Sequence, residues 1–179
     1  PQMILQACIF ECIWKPFIDS IPVPDWALRE FGLPVCSRCF SYDAMLNPRG
    51  RYVNHWHKDC SVPDITQVET RMYIFYRARR YIDAGYEAIH FGQVHLIGAE
   101  DRGFRYWQET LQRVRDYARS HARRHFLLCD AHTHGIAVAG RLLFDYNAWP
   151  LRLKEVYGHP MDCVLEMGYL DSIFGHSLG

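Results

Sequence analysis

The chain predicts an α/β fold, a (β/α)8 TIM-type barrel present only in part. Three observations carry that expectation. Apolar runs of strand length alternate with amphipathic stretches at helical spacing, which calls for crossovers onto a parallel sheet. Both helix-to-strand joints are short and the strand-to-helix joints are longer, as in barrels whose strand-exit loops carry the site. Each predicted strand also ends in polar residues. A doubly wound sheet is the runner-up, but no G-x-G-x-x-G phosphate fingerprint is present.

The elements follow in order. Residues 3–10 are a continuous apolar run and read as the first strand, ending at Glu11. Pro22, Pro24 and Asp25 open a short helix over Trp26–Phe31, closed by Gly32. Residues 33–63 form a long irregular excursion with several prolines and aromatics. The clearest helix spans Ile65–Ala84. Asp64 is placed to cap it and Gln67 stands at capping-box spacing. Ile65, Val68, Met72, Phe75 and Ile82 form its apolar stripe, and Gly85 ends it. A strand over residues 86–94 carries His90 and ends at Gln93 and His95. A second helix over Phe104–Arg123 has the stripe Phe104, Trp107, Leu111, Val114 and Ala118. The third strand, 126–132, ends in Asp130 and His132, with His134 just beyond. A long loop over 133–161 leads to a fourth strand at 162–168 that carries Glu166, with Asp171 beyond it. Four strands make about half a barrel, so residues 1–179 read as a single partial barrel domain. Both ends look cut, as in a fragment of a longer protein.

Composition narrows the function. The chain has 179 residues, 49% hydrophobic and 15% aromatic, enough for one packed core. Net charge is zero and no basic stripe stands out, so a nucleic-acid partner has no electrostatic support. Its apolar runs are far shorter than the roughly 18 residues a membrane span needs. Seven cysteines are an odd number. Cys8, Cys12, Cys129 and Cys163 lie in apolar runs, as small buried hydrophobes do. That placement suits a reducing, cytoplasmic compartment over a disulfide framework, although a leader removed ahead of Pro1 stays open.

Strand side chains alternate, so Ala7, Ile9 and Glu11 share a face, as do Leu128, Asp130 and His132. With those faces turned into a barrel, Glu11, Asp130 and Glu166 converge at its C-terminal mouth as acid/base candidates. His90, Gln93, His132, Asp171 and Trp149 are the candidates for positioning substrate. Paired carboxylates across a cleft are the machinery of glycoside hydrolysis. Loop aromatics such as Trp14, Trp56, Tyr146 and Trp149 offer flat faces to a sugar. The expected partner is a carbohydrate or other polar small molecule. A binding barrel without turnover is the bland alternative, with the polar strand ends as a hydrogen-bonded layer. A second constellation, Cys36-x2-Cys39-x17-His57-x2-Cys60, is close to zinc-ribbon spacing and offers a structural zinc to pin the excursion. No cofactor is fixed by the sequence, and zinc is the one the residues suggest.

Two resemblances add to this reading. The stretch "CDAHTHG", 129–135, resembles the metal-binding strand ends of amidohydrolases and of phosphoesterases with a similar barrel. It implies a metal-dependent hydrolase in which His132 and His134, with Asp130, hold the ion. The stretches "IPVPDWALREFG", "SVPDITQVETRMY", "YIDAGYEAIHFGQVHL", "RHFLLCDAHTHG", "LLFDYNAWPLR" and "GYLDSIFGHSLG" cover about half the chain. Together they resemble an uncharacterised group of bacterial (β/α)-barrel proteins with glycosidase-like architecture. That resemblance implies the barrel and brings no catalytic motif.

Overall fold

The computed structural model describes residues 2–133, 135–147 and 152–166. His134, Trp149 and Asp171 lie outside the described residues. The chain opens with β1 (Gln6–Cys8), β2 (Ile13–Trp14), α1 (Lys15–Ile18), α2 (Asp25–Glu30), α3 (Tyr42–Met45) and β3 (Cys60–Ser61). The middle holds α4 (Val68–Asp83), β4 (Ala88–His90), α5 (Val94–Ile97), α6 (Arg105–His121) and β5 (Leu128–Ala131). The last part is all strand: β6 (Ala137–Val138), β7 (Arg141–Leu142), β8 (Tyr146–Asn147), β9 (Arg152–Val156) and β10 (His159–Glu166).

The architecture is a small mixed α/β domain, and no barrel is present among the described residues. Strands β1, β4, β5 and β8 form one open, parallel four-stranded sheet in that spatial order. No backbone ladder joins the edge strands β1 and β8 among the described residues, so the sheet does not close. Strand–helix alternation with uneven joints serves an open sheet as well as a barrel, which is why the pattern misled. The expected fourth strand is also misassigned. Residues 159–166 are a strand, but it pairs antiparallel with β9, Glu166 opposite Arg152, as a hairpin outside the sheet. The fourth position is taken by the two-residue β8, which the predicted 133–161 loop had concealed.

One face of the sheet is covered by helices. Ala7, Ile89 and Cys129 are in register across β1, β4 and β5 and are buried. Beneath them pack Ile74, Phe75, Ala78 and Ile82 of α4, and Trp107, Leu111, Val114 and Ala118 of α6. The predicted α6 stripe is therefore its core face, apart from the half-buried Phe104. Helix α4 begins at Val68, later than expected, and Val68 is exposed. Asp64 does not cap it. Its carboxylate accepts from Thr66 N at 2.9 Å and Asn47 Nδ2 at 2.8 Å, bracing the turn before the helix.

The other side of α4 faces a second apolar cluster, in which Met72 and Tyr73 join Ile13, Ile18, Leu28 and Phe40. This cluster holds the excursion between β2 and β3. Arg38 donates both guanidinium nitrogens to buried Glu69 at 2.6 and 2.9 Å, and Ser41 N donates to the same carboxylate at 3.0 Å. Tyr42 N donates to Asp19 at 2.8 Å. A fork-on-fork ion pair plus a buried apolar cluster pins the loop.

Candidate functional site

The face of the sheet turned away from α4 and α6 carries the polar groups. Cys8, His90, Asp130 and Tyr146 stand in register on four adjacent strands, so their side chains form a row across the sheet near its C-terminal edge. The face expected for Glu11 needs correcting here. Ala7 and Ile9 are buried in the core, whereas Asp130 faces the opposite way with His90.

Asp130 is the centre of the row and is only 1% exposed. A buried carboxylate is costly unless hydrogen-bonded. Gln6 Nε2 donates to Oδ1 at 2.5 Å, and His90 Nδ1 lies 2.8 Å from Oδ2. Gln6 Nε2 also reaches the Tyr146 hydroxyl at 3.1 Å. A carboxylate only accepts, so Nδ1 of His90 is the donor in this bond and Nε2 is the ring nitrogen turned away from it. That is the orienting role an aspartate plays toward a catalytic imidazole. The His90 ring meets His132 edge-on at 4.5 Å and Phe10 at 6.1 Å. Burial pushes the Tyr146 phenol up, and the Asp130 charge adds to it. Burial followed by the same charge raises the Cys8 thiol.

Glu11 and Gln93 form a second pair at the same edge. Glu11 is 8% exposed and accepts from Gln93 N at 3.0 Å and Gln93 Nε2 at 2.9 Å. Gly92 makes room for it. Its φ is +62°, and a Cβ there would stand 2.2 Å from Glu11 Oε2. Each Glu11 oxygen thus has a fixed donor, and the pair ties the end of β1 to the end of β4.

The remaining predicted residues separate from this centre. Glu166 belongs to the β9–β10 hairpin, so the paired-carboxylate glycosidase reading loses one member at the sheet. The substrate calls on Trp149 and Asp171, and the metal call on His134, fall outside the described residues. His95 lies in α5, with Nε2 3.1 Å from Thr133 Oγ1. The zinc candidates do not assemble: Cys36, Cys39 and His57 are exposed, and buried Cys60 meets Cys12 instead. Among the described residues, no group of three or more His, Cys, Asp or Glu could hold a metal ion. Among them too, no helix is long and apolar enough to cross a membrane.

Sequence reasoning missed Gln6 and Gly92. Gln6 had a signal, being the one polar residue inside the run Met3–Phe10. Gly92 had none, because its role depends on Glu11, 81 positions away in the chain (92 − 11). No protein-family model, curated protein or solved structure matches the chain. The class that fold and site define is therefore a small α/β domain with a carboxylate–imidazole pair at the C-terminal edge of an open parallel sheet.

Proposed function

We propose that the Asp130–His90 pair is an acid–base centre that binds and acts on a small polar molecule at the C-terminal edge of the sheet. The observation that carries this reading is the buried Asp130 carboxylate bonded to His90 Nδ1 at 2.8 Å. In open parallel sheets, ligands settle beyond the carboxyl ends of the strands. His90 Nε2 takes or returns a proton, and Asp130 holds the ring and stabilises its charged form. Gln6 keeps the carboxylate in place from the other side. Phe10 and Tyr146 are exposed and border the row. Glu11, tied down by Gln93 and Gly92, shapes the edge and does not take part in proton transfer.

Thermal-shift titrations test this. The probes are separate panels of sugars, polyols, small carboxylates and small amides, applied to the parent chain, His90→Gln and Asp130→Asn. One panel raises Tm in a concentration-dependent way, and both substitutions abolish the rise. A rise that survives both substitutions, or silence across all panels, defeats the reading.

A further inference from the structure

Cys12 and Cys60 lie at the neck of the 15–59 excursion. There β2 and β3 form a two-residue antiparallel ladder, Ile13 opposite Ser61 and Trp14 opposite Cys60. The two Sγ atoms are 2.9 Å apart, although the residues are 48 positions apart in sequence. Cys12 is exposed and Cys60 is buried. Cysteines held this close can bond by side-chain adjustment, whereas distant ones require the backbone to move. The excursion between them carries much of the second apolar cluster, including Ile18, Leu28, Phe40 and Met45. A bond at the neck would close that whole segment into a loop.

We infer that Cys12 and Cys60 form a reversible dithiol–disulfide switch that locks the neck of the excursion, with a low-molecular-weight disulfide as oxidant. The exchange balances with oxidised glutathione. The accessible Cys12, as thiolate, attacks one glutathione sulfur, breaking its S–S bond and releasing one glutathione thiolate. Cys60, as thiolate, then attacks the Cys12 sulfur of the mixed disulfide, forming the intramolecular bond and releasing the second glutathione. The two cysteine protons finish on the two glutathione thiols. The protein pair is oxidised and the glutathione disulfide is reduced. Burial, then the contact with Cys60, pushes the Cys12 thiol up to about 12. A raised thiol exchanges slowly, because little of it is thiolate.

The test uses the purified full chain, equilibrated with oxidised glutathione and then with excess reduced glutathione. Peptide mapping without reduction should find a 12–60 linked peptide and an intact mass lower by two hydrogen atoms. Excess reduced glutathione should reverse both. The bond should raise Tm by roughly 5–10 °C, through the entropy it removes from the unfolded chain. Cys12→Ser should abolish the link and the rise, and Cys36→Ser/Cys39→Ser should retain both. Glutathione left as an adduct on Cys12, no oxidation at all, or a Tm rise that persists in Cys12→Ser overturns the inference. A 12–60 link with unchanged Tm overturns the lock.

Discussion

Glu87, at the foot of β4, and Asp130, on neighbouring β5, are buried carboxylates of one sheet, and they are satisfied in opposite ways. Glu87 stands just before β4 and is fully buried. Arg123 donates to it at 2.5 Å, and Arg124 donates through two nitrogens at 2.8–3.1 Å. Both arginines also reach the Met3 carbonyl, so the cluster fastens the start of the chain to the joint between α6 and β5. Asp130, on the next strand and toward the opposite edge, has a neutral amide and an imidazole. Two permanent cations hold Glu87 as a fixed anion. An imidazole and an amide hold Asp130 by hydrogen bonds alone. In the first arrangement, removing one partner leaves buried charge uncompensated; the second holds the carboxylate with no permanent cation among the described residues.

The largest effect should come from breaking the fixed cluster. Glu87→Gln leaves two arginines facing a neutral amide and should lower Tm by roughly 5–10 °C, read by thermal melting at neutral pH. The same cluster sets an acid limb. The arginines hold the Glu87 carboxyl down at about 2, against an ordinary value of 4.5. A depressed folded-state value means its stabilisation is complete above 4.5 and is lost as pH falls from there toward 2. Tm should therefore drop over that window in the parent chain and drop less in Glu87→Gln. Parallel curves would show that other carboxylates govern acid unfolding.

Gly92→Ala should come next. The substitution combines a left-handed backbone with a Cβ driven into Glu11 Oε2, so a loss of about 2–3 kcal/mol is expected. Denaturant titration measures it. Glu11→Gln should cost less, about 1–2 kcal/mol, because one donor still has an acceptor. If Gly92→Ala were neutral, the Glu11–Gln93 clasp would not be what fixes this edge.

Asp130→Asn sharpens the contrast with Glu87. The Asn amide presents one donor and one acceptor, and Gln6 and His90 can each reverse their polarity to suit. Stability should fall by only about 1 kcal/mol. The His90 tautomer should respond far more, with hydrogen moving from Nδ1 to Nε2, as 15N chemical shifts of the ring would reveal. An unchanged tautomer would show that the Asn oxygen takes the carboxylate's place toward Nδ1 while Gln6 reverses.

The smallest effect is expected at Cys36→Ser/Cys39→Ser. Both thiols are exposed and no metal set gathers around them, so Tm should move by less than about 2 °C. Elemental analysis of parent and variant should give the same zinc content. Zinc lost with these cysteines would restore the structural-zinc reading. Zinc lost in His132→Ala/His134→Ala would revive the metal reading of "DAHTHG".

Much of the site was legible because strand ends and polar residues are local features. Glu11, His90, Gln93, Asp130 and His132 could be named from the points where apolar runs stop. Their partners could not. Alternation states which residues share a face of one strand, but not which face turns to the helices. Ala7 and Asp130 were placed on the same side of the sheet and lie on opposite sides. Glu166 was read correctly as strand and wrongly as a member of this sheet, since an apolar run does not name its neighbour. The two-residue strands β2, β3 and β8 are too short for periodicity to register.

The sequence by itself determined the helices α4 and α6, the core stripe of α6 from Trp107 to Ala118 and the strands β4 and β5, because periodicity and turn residues act over a few positions. Only the tertiary structure decided that the sheet stays open and that the excursion is pinned by Glu69. It alone joined Asp130 to Gln6, 124 positions away, and Cys12 to Cys60. Those pairings depend on strand order and register, which arise from long-range packing and leave no mark in the spacing of residues along the chain.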